Sequence, residues 1–414
     1  MSTSTHSRPR RVAVLGGGMV GLSTAWYLQE YGIDVTVVES AAVAAGSSWG
    51  NSGWLTPSIA VPLAEPSVFK YSVRAMLSPS SPVYVPLTAK PRLLMFLASF
   101  ARHCTQEHWE RSMTALIPLN NQALDSFAEL EHDGVQSRTR AAEPFTAAFR
   151  TVQDSQGLLT EFDHIEKSGQ HVAYEVVDGD SARAAEPALS GEVGTAIRIH
   201  HERFINPPEY LAALAHSVRA RGGTIVEGAG RRAVRTGADR VIVGGERFDA
   251  VVLATGAWLD RDARRFGVKR TIQAGRGYSF TVAIDQLPRG PVYFPTQRVA
   301  CTPVGDRLRI AGMMEFRDVK APLDPRRIAA LVNQAGQLLS GADLQDRHDE
   351  WVGARPCTAD GLPLVGASAD PRVFIAGGHG MWGITLGPVT GRLLAEQIAT
   401  GHRPDALRGV DPLR

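Results

Sequence analysis

The chain has 414 residues, 44% of them hydrophobic and 21% charged, enough for one large or two ordinary domains with a proper core. Its 44 basic and 42 acidic residues leave a formal charge of +2, too weak a field to gather nucleic acid or anionic lipid. Cys104, Cys301 and Cys357 are widely separated, odd in number and without metal-site spacing, which suits free, buried thiols in a reducing cytoplasm and excludes a disulfide framework.

Residues 1–9 are polar and read as a loose tail rather than a secretory signal. Val12 to Leu15 then form a continuous apolar run of the kind a buried parallel strand shows, followed by Gly16-Gly17-Gly18-Met19-Val20-Gly21 and helical spacing that stops at Gly32. In that strand, turn and helix, Gly16 permits the tight turn, Gly18 lets backbone approach a pyrophosphate and Gly21 lets helix meet strand. A second strand, 33–38, delivers Glu39 and Ser40. The acid lies where ribose hydroxyls of an adenine dinucleotide are bound, so the unit is expected to hold a dinucleotide.

The small, polar segment 44–54, with Ser48, Asn51, Ser52 and Gly53, can lay N–H groups and hydroxyls along a phosphate or a flavin ring. Many prolines over 57–91 predict irregular structure with short helices. The run 93–101, LLMFLASFA, is too short to span a bilayer; it reads as a buried or amphipathic helix, with peripheral contact at the inner face of a membrane as the alternative. Spacing over 92–132 predicts a pair of helices outside the nucleotide domain, with Leu116, Leu119, Ala123, Leu124, Phe127 and Leu130 on one stripe.

Alternating pieces at 147–152 and 196–200 open an α+β region. The adjacent His200 and His201 do not share a face, and no metal site is expected. A helix from 206 to Gly222, a strand at 224–227, a polar hairpin and the apolar strand 248–256 return the chain to the nucleotide sheet. Alternation over 270–320, with a turn at Gly305-Asp306, predicts an antiparallel sheet beside a substrate site, and a helix over 325–339 capped by Gly341 follows. The chain closes with a strand at 373–376, a glycine loop at 377–383 and a helix after Pro388. Its N-terminus could face the edge of a flavin ring that gains negative charge on reduction. No G-x-S-x-G elbow, H-E-x-x-H, Walker loop or paired-cysteine pattern occurs, which removes the common hydrolase and metalloenzyme readings.

VAVLGGGMVGLSTAWYL, SSWGNSGWLTP, VVLATGAWLD, AGRGYSF, TPVGDRLRIAGMMEF, WVGARPCTADGLPLVG and IAGGHGMWGITLGPVTG together resemble the D-amino acid oxidase (DAO) superfamily of FAD-dependent oxidoreductases, most closely its D-amino acid dehydrogenase and glycine oxidase branch, from Arg11 to about Gly401. The resemblance implies a discontinuous α/β FAD-binding Rossmann-like domain of the glutathione-reductase type, expected at 10–57, 202–265 and 350–414. An α+β substrate domain with an antiparallel sheet is expected at 58–201 and 266–349. It implies non-covalent FAD, held by Gly16, Gly18, Met19, Val20, Gly21, Glu39, Ser40, Ser48, Asn51, Ser52, Gly53, Gly256, Ala257, Gly378, Gly380, Gly383, Ile384 and Thr385.

The implied reaction is oxidative deamination of a D-amino acid by hydride transfer to flavin N5, giving a 2-oxo acid and ammonia, with O2 or a quinone or protein as electron acceptor. Oxidation of a secondary amine such as sarcosine, D-proline or a hydroxyproline is an alternative, and a non-catalytic flavin-binding subunit of a heteromeric complex is another. Arg355 falls where related enzymes hold the substrate carboxylate, Tyr278 is placed at the substrate pocket and His379 at the flavin. The branch's tyrosine before the hairpin proline is missing from Val299-Ala300-Cys301-Thr302-Pro303, and Met381-Trp382 stands where it has an arginine. Trp382 could therefore roof a larger or more apolar substrate. Cys357 is offset from the cysteine that attaches flavin covalently in sarcosine oxidases.

Overall fold

A computed structural model describes residues 8–66, 78–86, 90–237 and 239–414. Part of the proline-rich stretch read as irregular (67–77 and 87–89) and most of the tail lie outside the described residues. The first strand, Arg11–Leu15, sits inside a six-stranded sheet in the order Thr224–Val226, Asp34–Val38, Arg11–Leu15, Ala250–Leu253, Val373–Gly377, Leu364–Ala367. The first five run parallel and the last is antiparallel. Val12, Ala13 and Val14 are fully buried, as a strand covered on both faces requires.

Two helices cover one face: Met19–Glu30, which ends at Gly32 in a left-handed conformation, and Gly387–Thr400. They touch through small residues, since a Cβ on Gly391 would lie 2.6 Å from the Ser23 backbone and one on Gly387 2.5 Å from the Met19 side chain. Both N-termini consequently sit side by side at the carboxyl end of the parallel strands. The stretch read as two helices is three, Pro91–His103, Gln106–Asn120 and Ala123–His132. The stripe Leu116, Leu119, Ala123, Phe127 and Leu130 packs into the same core as Trp26 and Leu394 rather than away from it.

A second sheet of nine strands runs His348–Cys357, Gln273–Val282, Arg307–Phe316, Val299–Val304, Val292–Phe294, Phe145–Phe149, Thr195–Ile199, Tyr174–Asp178, with Val83–Tyr84 beside Arg307–Phe316. It is mixed rather than purely antiparallel: Val292–Phe294 lies parallel to Phe145–Phe149, and Val83–Tyr84 parallel to Met314 and Glu315. The strand read at 147–152 ends at Phe149, and Val152 opens a helix capped reciprocally by Thr151 and Asp154. The helix read over 325–339 stops at Ala335, and Leu338 and Leu339 turn into the core. All three cysteines are buried and free.

The two sheets are tied together at segment 49–54. Arg309 donates to the carbonyls of Trp49 (3.0 Å) and Asn51 (3.2 Å), and Ser279 donates to that of Gly50 (2.8 Å). The Trp351 ring slots between Gly50 and Gly353, where a Cβ would fall 2.2 Å and 1.8 Å from it. Trp54–Leu55 pairs with Glu202–Phe204, which in turn pairs with Arg140–Ala142.

Candidate active site

Two cavities, of about 540 and 510 Å³, flank this joint and share Ser47, Asn51, Arg355 and Met381 in their walls. The first runs from the second strand to the C-terminal glycine loop. It is lined by Gly16, Gly18, Met19, Val20, Gly21, Glu39, Ser40, Ser48, Asn51, Gly256, Ala257, Gly380, Gly383, Ile384 and His379, most of the residues singled out from sequence. At its far end the Glu39 carboxylate accepts N–H bonds from Gly17 (2.7 Å) and Ala41 (2.9 Å), which fix it facing the space. Neither N-cap residue, Gly18 or Leu386, supplies a side-chain cap; the Met19 N–H donates to the Ser48 hydroxyl at 3.3 Å, and the other backbone donors of the first turns are left for an anionic ligand.

Four of the expected cofactor residues lie elsewhere. Gly53 and Gly378 line neither cavity; both have left-handed backbones, and a Cβ on Gly53 would sit 2.2 Å from the Ile205 carbonyl oxygen. They shape the loops from behind. Ser52 and Thr385 open onto the second cavity, and the Thr385 hydroxyl donates to the Trp54 carbonyl at 2.9 Å. Sequence reasoning missed Arg231, Arg232 and Lys320, which come to the first cavity from loops without a motif, and Trp258, Arg261 and Asp262, which come from the short helical turns that follow the strand Ala250–Leu253.

The cavity fits an adenine dinucleotide with a flavin. Gly230, Gly256 and Gly380 have nothing within 4 Å of where a Cβ would stand, which leaves open cradle beside the backbone. The acid, the two helix ends and the glycines occur in the order adenosine, pyrophosphate and ring require.

The second cavity is walled mainly by Trp54, Ile59, Val61, Leu97, Phe100, Phe316 and Trp382, with the indole N–H of Trp382 donating to the Val61 carbonyl at 2.7 Å. The helix Pro91–His103 is the amphipathic element expected. Leu93 and Phe96 are buried beneath it, while Leu97 and Phe100 also reach the cavity. Arg355 stands where the cavities meet. Its Nη1 donates to the Met313 carbonyl at 2.7 Å, and among the described residues it makes no ion pair. Burial lowers its pKa, so an anion is what this guanidinium lacks. A Cβ on Gly277 would lie 2.2 Å from Nη2, so the glycine gives the guanidinium its bed.

Tyr278 contributes a ring to the cavity wall, but its hydroxyl is turned away and donates to buried Glu315 at 2.7 Å. Burial and that carboxylate raise its pKa well above the ordinary value. The same carboxylate pairs with Arg276 at 3.1 Å and Arg317 at 3.2 Å, so Tyr278 belongs to a structural network rather than to substrate. His379 borders the first cavity with Nε2 against the Thr390 hydroxyl at 2.8 Å. Burial pushes its pKa down to about 4, which keeps it neutral and makes it a brace for the glycine loop. Burial pushes the Cys357 thiol up to about 12, an unreactive state.

The sheet with two helix ends that lack N-cap side chains, an acid at the end of its second strand and an apolar cavity alongside defines a dinucleotide-binding oxidoreductase. The chain belongs to the DAO family of FAD dependent oxidoreductases, whose model matches residues 11–397. Its fold is shared with glycine oxidase from Geobacillus kaustophilus (21% identity, TM-score 0.73, 98% of this chain and 99% of that one covered). It is also shared with L-proline dehydrogenase from P.horikoshii (16%, 0.70, 98% and 98%) and with L-amino acid deaminase from Proteus vulgaris (14%, 0.68, 100% and 99%).

Proposed function

We propose that this FAD-dependent oxidoreductase of amine or amino acid donors oxidises a D-amino acid with a large side chain to its 2-oxo acid and ammonia. The observation that carries the reading is Arg355, a half-buried guanidinium that has no counter-ion among the described residues, at the junction of cofactor and substrate cavities. A planar fork there takes a carboxylate in two parallel hydrogen bonds and fixes the α-carbon against the first cavity. Glycine or sarcosine would leave most of about 510 Å³ unfilled, whereas a bulky apolar stem would cover Trp54, Phe100 and Trp382.

When bound, FAD supplies the hydride acceptor. The Cα–H bond breaks with its electron pair as the nitrogen lone pair closes the C=N bond, and water then hydrolyses the released imine. The wall shared by the two cavities, Ser47, Asn51, Arg355 and Met381, offers no general base, and His379 is neutral and turned to Thr390. The positive charge of Arg355 instead lowers the pKa of the adjacent substrate ammonium, favouring the neutral amine that hydride transfer needs. The residues position and desolvate; none has to move a proton in the chemical step.

Anaerobic mixing of the flavin-loaded protein with D-, L- and N-alkyl amino acids tests this reading. Bleaching of the visible band by D-amino acids with bulky side chains is expected, with air restoring colour quickly if O2 is the acceptor and slowly if a quinone or protein is. Bleaching by N-alkyl substrates alone would replace the reading with secondary-amine oxidation, favoured by a hairpin strand that presents Ala300 rather than tyrosine to the cavity. No bleaching by any amine would overturn it.

A further inference from the structure

Three successive carbonyls, those of Trp49, Gly50 and Asn51, are held by side chains from one face of the nine-stranded sheet. Arg309 lies opposite Thr281 and Ser279 opposite Ala311 where Gln273–Val282 pairs with Arg307–Phe316, so the two donors are diagonal neighbours on that face. Thr302, opposite Arg309 on the next strand, takes the indole N–H of Trp54 at 3.0 Å. The Arg309 guanidinium also lies over the Trp49 ring, 5.4 Å from its centre. It is 3% exposed, its Nε has no hydrogen-bond partner, and it makes no ion pair among the described residues. Burial lowers its pKa to about 10, so it keeps its charge at neutral pH. An apolar side chain would fill this space at lower cost, so packing alone does not account for the cation.

The peptides of this segment are trans, and a trans peptide points its N–H opposite to its C=O. With the three carbonyls turned to the sheet, the N–H groups of Gly50, Asn51 and Ser52 face away from it. That of Asn51 reaches the Ser48 carbonyl at 3.3 Å, whereas those of Gly50 and Ser52 have no acceptor among the described residues. Asn51 stands in the walls of both cavities, and Gly50 and Ser52 in that of the second.

We propose that Arg309 and Ser279 are positioning residues for the redox step. By clamping the carbonyls of segment 49–51 they aim two free backbone donors at the joint of the cavities, where direct hydride transfer requires the redox-active ring to lie. Donors fixed in place beforehand favour the electron-rich, reduced ring over the oxidised one. The clamp thus sets how readily the cofactor accepts electrons, whichever amine supplies them, and it does not rest on the role given to Arg355.

Anaerobic titration of the FAD-loaded protein with dithionite against a reference dye gives the reduction potential and tests the clamp without substrate. Ser279→Ala removes one clamp and no charge. It should move the reduction equilibrium about tenfold or more toward the oxidised form, about 30 mV for a two-electron couple. Arg309→Met, which releases two carbonyls, should move it further in the same direction. A wild-type potential in Ser279→Ala overturns the proposal, whether or not FAD binds more weakly, since a merely structural contact would alter affinity alone. A shift in Arg309→Met with none in Ser279→Ala would mean that the cation acts by its charge, and overturns the clamp as well. Ser279→Ala decides even if Arg309→Met does not fold. A shifted potential in a protein whose flavin no amino acid bleaches would leave the clamp standing and remove the proposed reaction.

Discussion

Arg355 and Gly277 lie one strand apart and act as one device, because the guanidinium rests where a side chain at 277 would be. Gly277→Ala should therefore behave as a weakened Arg355 variant: KM for amino acids rises about tenfold to a hundredfold, the range of a charge-assisted hydrogen bond, with flavin still bound. Steady-state kinetics with a flavin count per chain reads both. Arg355→Met should remove more, about a thousandfold in kcat/KM, since the whole carboxylate contact is lost. His379 makes the opposite case. Its depressed pKa leaves it neutral above about 4, so it cannot shape a pH profile in the neutral range. In His379→Gln the rise of kcat/KM with pH, set by the substrate amine, should keep its midpoint even where affinity for FAD drops.

At the scale of elements, the strand Glu202–Phe204 joins segment 54–55 to Arg140–Ala142 with a buried acid at its first position. Burial pushes Glu202 up to about 8 although the Ser58 hydroxyl donates to Oε1, and Oε2 has no hydrogen-bond partner among the described residues. A carboxyl whose native pKa is raised holds its proton better folded than unfolded. Its contribution is thus full below the ordinary 4.5 and is lost as pH rises through 8. Thermal unfolding of the wild-type protein should show a lower melting temperature at pH 8 than at pH 5, and Glu202→Gln should flatten that slope. The Glu315 network behaves otherwise, since its acid is paired with Arg276 and bonded by Tyr278. Glu315→Gln leaves a fully buried guanidinium uncompensated and should cost about 3–5 kcal/mol in denaturant unfolding.

Across the whole molecule, the first cavity is built from both ends of the chain, strand Arg11–Leu15 with its helix and the loop before Gly387–Thr400. A ligand that bridges them favours the folded state by mass action, so added FAD should raise the melting temperature of flavin-stripped protein in proportion to the logarithm of its concentration. The parts built at chain ends were also the parts that sequence revealed. Gly16, Gly18, Gly21 and Glu39 are dictated locally, by a turn and a strand end, and so leave a readable signature. Gly53 and Gly378 carry the same signature of backbone need, yet serve the loop's far side, because a glycine does not say which of its faces meets a ligand. Tyr278 was legible as a strand residue near the substrate but not as Glu315's partner, since the two lie on neighbouring strands 37 residues apart. Ser279 and Arg309 had no signature at all: each is an ordinary strand residue until two distant strands are brought against segment 49–51.

The wedge that Trp351 drives between Gly50 and Gly353 has an optical consequence. Trp54, Trp258, Trp351 and Trp382, four of the chain's seven tryptophans, wall the two cavities. Indole emission overlaps flavin absorption, so the protein should glow when stripped and darken as FAD enters. A substrate settling against Trp54, Trp351 and Trp382 should then shift what emission remains, so the molecule reports the filling of each chamber without a label.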